Sequence, residues 1–132
     1  MTASPSSTPE SALVTLAERY FAAVDRMDLP ATLACFDPEA RFSIATYNTL
    51  HCGRDTELCR MFERLFSRYA SVWHGDFDHV VQGNHRIASR FQVRNCTHDG
   101  QTLTKNNCNF FQVRDGRFAE VFVYMSGDNS LG

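Results

Sequence analysis

Residues 106–125 read N-N-C-N-F-F-Q-V-R-D-G-R-F-A-E-V-F-V-Y-M, and this segment decides the fold. Two apolar, aromatic-rich runs flank Asp115 and Gly116, and Asp-Gly between such runs is a strong hairpin signal. Gly116 can adopt a positive φ because it has no Cβ atom to clash with the backbone. The segment therefore predicts two antiparallel strands, over residues 103–113 and 118–125.

A long amphipathic helix is predicted near the N-terminus. Pro9 suits the first helical turn, Thr8 can cap that turn, and apolar side chains recur at helical spacing as far as Met27. A short second helix is predicted to follow, because Asp28 can cap it and Pro30 falls in its first turn.

Strands and one more helix complete the predicted order of elements. Alternation over residues 41–47 predicts a short strand, and the next residues, His51-Cys52-Gly53, predict a turn. Residues 55–72 contain neither Gly nor Pro and keep a 3.6-residue apolar period, which predicts a long and regular third helix. Further strands are predicted at residues 77–82 and 86–97. Helices followed by a run of antiparallel strands indicate an α+β domain.

The composition is that of an ordinary globular domain. The chain has 132 residues, of which 43% are hydrophobic and 21% charged, and its net charge is −2 without a basic stripe. No nucleic-acid partner is predicted, and no apolar run approaches the roughly 20 residues that span a membrane. Five cysteines without a Cys-x-x-Cys pair argue against a disulfide framework and a structural zinc site, and predict free thiols in a reducing cytoplasm. No P-loop or Rossmann glycine pattern is present, and no cofactor or metal is predicted. The eleven phenylalanines predict an aromatic core or an aromatic-lined cavity.

One folded unit with two tails is the predicted domain organisation. Residues 1–8 are rich in Ser, Thr and Pro, which predicts a mobile tail that lacks the apolar core of a secretory signal. Residues 9–127 form the predicted domain, and residues 128–132 a short C-terminal tail.

Three segments carry a resemblance to a known family. The first spans residues 19–42 and contains R-Y-F-A-A-V and L-A-C-F-D-P-E-A-R-F. The second is C-G-R-D at residues 52–55, and the third is F-Q-V-R-D-G-R-F at residues 111–118. In this order and spacing they resemble the SnoaL-like family of the nuclear transport factor two-like superfamily, which also contains ketosteroid isomerase. The resemblance covers residues 10–126 and implies a cystatin-like cone: a curved antiparallel sheet around the long first helix, three helices in all, and an internal pocket.

The resemblance also implies candidate catalytic residues. Tyr20 matches the helix-one tyrosine of the isomerase oxyanion hole, although a core tyrosine is the alternative. Asn109 falls at the second oxyanion donor, where an asparagine can still donate a hydrogen bond. Ile44 occupies the place of the general base and cannot take a proton, and Ser126 replaces an Asp of many SnoaL-like chains. Steroid isomerase activity is therefore not implied, and whether the protein is an enzyme stays open.

The pocket is expected to be mostly apolar, with a few polar groups that orient a ligand. Besides Tyr20 and Asn109, the expected ligand-binding residues are Phe42, Ile44, Tyr47, Phe62, Trp73, Asn107 and Phe111. Asn107 and Asn109 share one face of their strand, and a one-residue shift of register would turn that face outward. The sequence alone leaves both orientations open.

Histidines supply the candidate bases. His51 lies in a predicted loop at the mouth of the cone, where it is either a base or an exposed loop residue. Residues 73–79 contain His74 and His79 with two carboxylates, which could form a general base or a metal site. Strand alternation sends His79 to the side opposite Asp78, so an ordinary polar loop leading into a strand is the default interpretation.

Three functions remain after this reasoning. The first is a binding protein for a small hydrophobic molecule. The second is a cyclase or isomerase acting on a hydrophobic carbonyl or polyketide-like substrate, in which Tyr20 and Asn109 hold an oxyanion and His51 or His79 moves the proton. The third is a non-catalytic accessory subunit. The resemblance also implies a homodimer formed through the outer face of the sheet.

Overall fold

Three helices and six strands follow one another in this computed structural model, which describes residues 8–132. In chain order they are α1 (Pro9–Asp25), α2 (Leu29–Leu33), β1 (Phe36–Ile44), β2 (Thr49–Cys52), α3 (Cys59–Arg68), β3 (Ser71–Gln82), β4 (Arg86–Cys96), β5 (Thr102–Arg114) and β6 (Arg117–Met125). The predicted N-terminal tail lies outside the described residues, except for Thr8.

Both N-terminal helices begin where the sequence predicts. The Thr8 hydroxyl accepts a hydrogen bond from the backbone N–H of Ser11 at 3.1 Å, and Asp28 caps α2 through the N–H of Ala31, also at 3.1 Å. Helix α1 ends two residues before the predicted Met27, because Met27 adopts a φ of 54° that no α-helix continues.

The terminal hairpin is confirmed. Asp115 and Gly116 have φ values of 52° and 75°, as the two central residues of a type I′ turn require, and Arg114 pairs with Arg117 across it. This turn has the twist that strands β5 and β6 need and sets their register beside it. An irregularity between Gln112 and Val113 then shifts the register by one residue, which places Asn109 opposite Val123.

The sheet is curved and mixed rather than antiparallel throughout. Its strand order is β2-β1-β6-β5-β4-β3, and every neighbouring pair is antiparallel except β1 with β6, which is parallel. Helix α1 packs against β3 and the inner face of the sheet, as in the predicted α+β cone. Strand β1 starts at Phe36, five residues before the predicted strand, and Pro38 is tolerated because pairing with β6 is interrupted between Phe36 and Arg41.

The predictions for residues 51–72 are partly wrong. His51 and Cys52 belong to strand β2 rather than to a turn, since they pair with β1. The third helix begins with a π-helical turn, Gly53–Leu58, and ends at Arg68 instead of continuing to residue 72. Residues 71 and 72 pair with β4, so backbone pairing in the sheet overrides their local helical pattern.

Strand β3 also absorbs the residues predicted as a polar loop. Pairing with β4 is interrupted between Gly75 and Asp78, and Asp76 has a φ of 55°. This bulge shifts the alternation of side chains by one residue. His74 and His79, five residues apart, consequently both face α1, while Trp73 and Asp78 lie on the outer face.

No helix within residues 8–132 combines the length and the apolarity required to cross a bilayer.

Candidate functional site

A small cavity lies between α1, α3 and the inner face of the sheet. It encloses about 30 Å³, which is room for about two water molecules. Five of the residues singled out from the sequence line it together: Tyr20, Phe42, Phe62, Asn107 and Asn109. Their strand register therefore turns the two asparagines inward.

The other predicted site residues lie elsewhere. Ile44 and Phe111 are fully buried in the neighbouring core, where Phe111 stacks on Phe118 at 4.3 Å. Trp73 lies on the outer face, with the Arg94 guanidinium 4.7 Å from its ring centroid, because this segment is a strand and not the end of a helix.

Tyr47 and His51 lie near one edge of the sheet. Tyr47 is 41% exposed, and its hydroxyl donates to the carbonyl of Gly127. His51 belongs to β2 and does not line the cavity. Its Nε2 atom is buried without a hydrogen-bond partner among the described residues, and burial lowers the pKa of its ring, with a smaller contribution from Arg64.

Tyr20 is the aromatic centre of the site. Its ring lies 4.9 to 6.2 Å from five phenylalanine rings, those of Phe21, Phe36, Phe62, Phe111 and Phe118. Burial raises the pKa of the Tyr20 phenol far above its usual value, and the charges of Cys35 and Asp25 act in the same direction. The phenol therefore keeps its proton and can act as a hydrogen-bond donor throughout the physiological pH range.

Three asparagine side chains form the polar part of the lining. Asn95 on β4 and Asn107 and Asn109 on β5 are all buried, and the Oδ1 atom of each has no hydrogen-bond partner among the described residues. An unpaired buried acceptor costs about 1–3 kcal/mol, so native proteins rarely keep one without a reason. Three such acceptors beside one cavity indicate a place built to receive hydrogen-bond donors.

His74 reaches the same cavity from β3. Its Nδ1 atom lies 2.6 Å from Oδ1 of Asp25, and its backbone N–H donates to Oδ2 of the same carboxylate at 3.1 Å. The imidazole packs against Phe21 and Phe91, with ring centroids 5.2 and 5.6 Å away. Because Nδ1–H is committed to Asp25, the neutral ring carries its lone pair on Nε2.

His79 makes a similar contact but does not line the cavity. Its Nε2 atom lies 3.0 Å from Oε2 of Glu18, and its Nδ1 atom lies 2.8 Å from the Ser89 hydroxyl. Ser89 is fully buried, so this Ser-His-Glu arrangement offers no nucleophile to a substrate and we assign it a structural role.

The last residues close one side of the cavity. Ser130 and Leu131 contribute to its lining, and Arg68 on α3 donates to the carbonyls of Ser130 at 2.9 Å and Gly132 at 2.6 Å. Lys105 on β5 donates to the carbonyl of Ser126 at 2.9 Å and to that of Asp128. We call residues 128–132, which the sequence predicts as a tail, the closing segment.

Sequence reasoning missed three lining residues that carry polarity or closure, Asn95, Ser130 and Leu131, and it named His74 as a possible base without predicting its inward position. His74 was assigned to a loop, and only the bulge in β3 turns it inward. Asn95 could have been found, because it continues the inward alternation of Phe91 and Val93. Ser130 and Leu131 carry no recognisable signal. Within residues 8–132, no group of three or more His, Cys, Asp or Glu side chains is placed to hold a metal ion.

Comparisons with known proteins agree with this architecture. The sequence profile of the SnoaL-like domain matches residues 17–121. A proposed polyketide cyclase from Xanthomonas campestris pv. campestris superposes with a TM-score of 0.80 at 21% identity, covering 89% of this chain and 92% of that one. An NTF2-like protein from Anabaena variabilis has a TM-score of 0.78 at 13% identity, with coverages of 97% and 96%.

One similar structure contains a small molecule. A protein with a ketosteroid isomerase-like fold from Catenulispora acidiphila, in complex with trimethylamine, has a TM-score of 0.74 at 10% identity and 83% coverage of each chain. No curated protein matches the chain significantly in sequence. At these identities the solved structures establish the fold, while the profile match establishes the family.

Proposed function

The chain belongs to the SnoaL-like domain family of small-molecule-binding proteins, and on this premise we propose that its cavity binds a compact, neutral ring compound bearing a hydroxyl group. The observation that carries the proposal is the set of three unpaired asparagine oxygens, on Asn95, Asn107 and Asn109, beside one cavity. Acceptors without partners select ligands that donate hydrogen bonds, because only such a ligand removes the cost of their burial.

The charge of the lining supports a neutral ligand. His74 is the only titratable cationic side chain among the lining residues, and it is already paired with Asp25. The charged groups of Lys105 and Arg68 donate hydrogen bonds to backbone carbonyls within residues 126–132. A charged ligand would therefore be buried without a counter-ion, which is strongly unfavourable.

The remaining walls support a ring. Tyr20, Phe42, Phe62, Phe91 and Leu65 line the cavity with aromatic and aliphatic surface. Such walls supply affinity by removing apolar area from water, while the polar groups fix the ligand's orientation.

The cavity volume of about 30 Å³ is too small for a ring compound. Pockets that bind drug-sized ligands have volumes of roughly 300–1,000 Å³. The closing segment forms one side of the lining, and side-chain hydrogen bonds from Arg68 and Lys105 hold it in place. We propose that Ser130 and Leu131 move outward when the ligand enters.

A pair of matched compounds tests the proposal. 2-Naphthol carries a hydroxyl group where 2-methylnaphthalene carries a methyl group, so the two differ in hydrogen bonding more than in shape. We expect 2-naphthol to raise the melting temperature more than 2-methylnaphthalene does, since bound ligand stabilises the folded state by mass action. The difference should vanish in Asn109→Val and persist in Asn106→Val, a change on the outer face of the same strand. Equal shifts with both compounds in all proteins would overturn the proposal.

The cavity lining also bears on the two other functions that the sequence leaves open, an enzyme and an accessory subunit. A cyclase or isomerase is compatible with the cavity, because Tyr20 and Asn109 line it together. Proposed polyketide cyclases are among the similar structures, but at their sequence identities this similarity supports only the fold. A purely structural subunit is disfavoured, because such a protein gains nothing from three unpaired acceptors.

We also propose a homodimer formed through the outer face of the sheet, in a reducing cytoplasm. Phe110 and Tyr124 are 43% and 48% exposed, with ring centroids 6.1 Å apart, and Phe122 lies opposite Phe110 in the register. Val80 is 67% exposed beside a 320 Å³ groove that contains Phe110. An apolar aromatic face of this kind is typical of an interaction surface. All five cysteines are free thiols, which supports the compartment.

A further inference from the structure

We infer that Lys105 captures an aldehyde group of the bound molecule as a covalent imine, formed at its Nζ atom beside the cavity. The inference rests on the proposed function, because the captured molecule occupies the same cavity. It adds an aldehyde group to the neutral, hydroxyl-bearing ring compound proposed above.

Lys105 is unusual in both the sequence and the structure. It is the only lysine among the 132 residues, whereas twelve residues are arginine. Only 5% of its surface is exposed, although lysine is almost never buried without a partner charge. Among the described residues, no carboxylate forms an ion pair with it. Arginine can donate to backbone carbonyls as well as lysine does, but only lysine carries an amine that becomes a nucleophile.

The strand register places this lysine beside the cavity. Lys105 shares the inner face of β5 with Asn107 and Asn109, and it lies opposite Val93 on β4. These three neighbours all line the cavity. Residues two positions apart on a strand are separated by about 7 Å, which is close to the span of a naphthalene ring substituted at both ends. One ligand can therefore donate its hydroxyl group to an asparagine oxygen and present a second group to Nζ.

The backbone that leads into the closing segment covers the ammonium group of this lysine. Nζ donates to the carbonyl of Ser126 at 2.9 Å and to that of Asp128. Gly127 between them has a φ of 71°, and a Cβ atom at this residue would lie 3.1 Å from Nζ. The chain continues to Ser130 and Leu131, whose outward movement the proposed function requires. That movement withdraws the carbonyl acceptors and uncovers Nζ towards the ligand.

Loss of these acceptors favours the neutral amine. Burial already lowers the pKa of Lys105, and the charge of Asp128 opposes this effect only in part. An ammonium group without hydrogen-bond acceptors in apolar surroundings loses its proton more easily still. The neutral amine is a nucleophile towards the carbonyl carbon of an aldehyde. While the segment is closed, the ammonium group keeps its acceptors and does not react.

The step consumes the amine and the aldehyde and releases water. The ammonium group first gives one proton to solvent water. The Nζ lone pair then bonds to the aldehyde carbon, and the C=O π electrons move to the oxygen, which takes a proton from nitrogen to give a carbinolamine. The C–O bond breaks, the oxygen leaves as water with a second proton from nitrogen, and a C=N bond remains. Addition of water reverses the capture, and nothing is oxidised or reduced.

The probe is 6-hydroxy-2-naphthaldehyde, which has the ring skeleton and hydroxyl group of 2-naphthol and an aldehyde at the far end. Sodium cyanoborohydride reduces an imine to a stable secondary amine, so tandem mass spectrometry identifies the labelled amine. Arg60→Lys introduces an exposed amine on α3 as an internal reference. In this variant we expect Lys105 to be labelled about tenfold faster than the introduced amine, because the cavity holds the aldehyde beside Nζ. An excess of 2-naphthol should slow the labelling of Lys105 and leave the introduced amine unaffected.

Lys105→Arg separates the covalent step from binding. Arginine keeps donors for the carbonyls of Ser126 and Asp128 but forms no imine under these conditions. We expect this variant to lose the rapid increase in protein mass and to retain the rise in melting temperature caused by 2-naphthol. A rapid mass increase that persists in Lys105→Arg would overturn the assignment to this residue.

Binding of 2-naphthol, measured by melting temperature on the same proteins, distinguishes the two claims. Protein that binds 2-naphthol but is labelled at Lys105 no faster than at the introduced amine overturns the capture and leaves the proposed function standing. Labelling of Lys105 that 2-naphthol does not slow overturns it as well, since the amine then reacts outside the cavity. Protein that neither binds 2-naphthol nor becomes labelled at Lys105 contradicts both claims. Fast labelling of Lys105 that 2-naphthol slows supports the inference.

Discussion

The Nδ1 atom of His74 lies 2.6 Å from Oδ1 of Asp25, and this contact joins the C-terminal end of α1 to strand β3. Seven residues earlier on the helix, Glu18 contacts His79 of the same strand at 3.0 Å. Two helical turns separate the carboxylates, and the bulge in β3 brings the two histidines onto the same side. The helix is thereby held in one register on the strand, with His74 at the cavity.

The asparagine oxygens should make the cavity a source of instability. In Asn109→Val an unpaired buried acceptor is replaced by a residue that favours strands, so we expect the free energy of unfolding to rise by about 1 kcal/mol. Urea denaturation measures this change, and Asn106→Val on the outer face should stay within about 0.5 kcal/mol of wild type. A loss of stability in Asn109→Val would indicate that the amide is already satisfied, for example by buried water.

The closing segment should be released when its main contact on α3 is removed. In Arg68→Gln the hydrogen bonds to the carbonyls of Ser130 and Gly132 are lost, and we expect the backbone amides of residues 128–132 to exchange with D₂O at least several-fold faster. Arg60→Gln, a change of the same kind on the same helix, is the control. Equal exchange rates in wild type and Arg68→Gln would contradict the role of Arg68.

Stability should depend on pH through His51. Burial holds the pKa of its ring below the ordinary value of 6.5, so the unfolded chain binds this proton more readily than the folded chain. The free energy of unfolding therefore falls as the pH drops below about 6.5 towards the lower pKa of the folded state. We expect this component to be absent from His51→Gln, measured by urea denaturation at pH 7.5 and 5.5. The same pH dependence in both proteins would refute it.

The outer face of the sheet should control the oligomeric state. Phe110→Glu places a charge at the centre of the exposed aromatic face, and we expect the dimer to dissociate in sedimentation velocity experiments. Arg60→Glu, an exposed change on α3 away from the outer face of the sheet, is the control and should leave the sedimentation coefficient unchanged. A wild-type monomer, or a dimer that tolerates Phe110→Glu, would contradict the proposed interface.

Local signals in the sequence predict much of the fold and part of the site. The cap at Thr8, the Asp115-Gly116 turn and the alternation in β4 to β6 act over a few residues, and the structure confirms them. The end of the third helix and the strand at residues 71–76 depend on pairing with distant β4, which no local pattern contains. The inward position of His74 was not predicted for that reason, since a bulge in the paired strand turns it towards the cavity.

The most direct test of the proposed function follows the asparagine side chains themselves. In a titration of the wild-type protein with 2-naphthol, ¹H–¹⁵N NMR spectra report the side-chain amide signals of Asn95, Asn107 and Asn109. We predict that these three signals shift together and saturate, while that of exposed Asn106 does not move. Shifts confined to the side chain of Asn106 and the backbone amides of Phe110 and Tyr124, or no shift of any asparagine side-chain signal, would contradict a ligand site in the cavity.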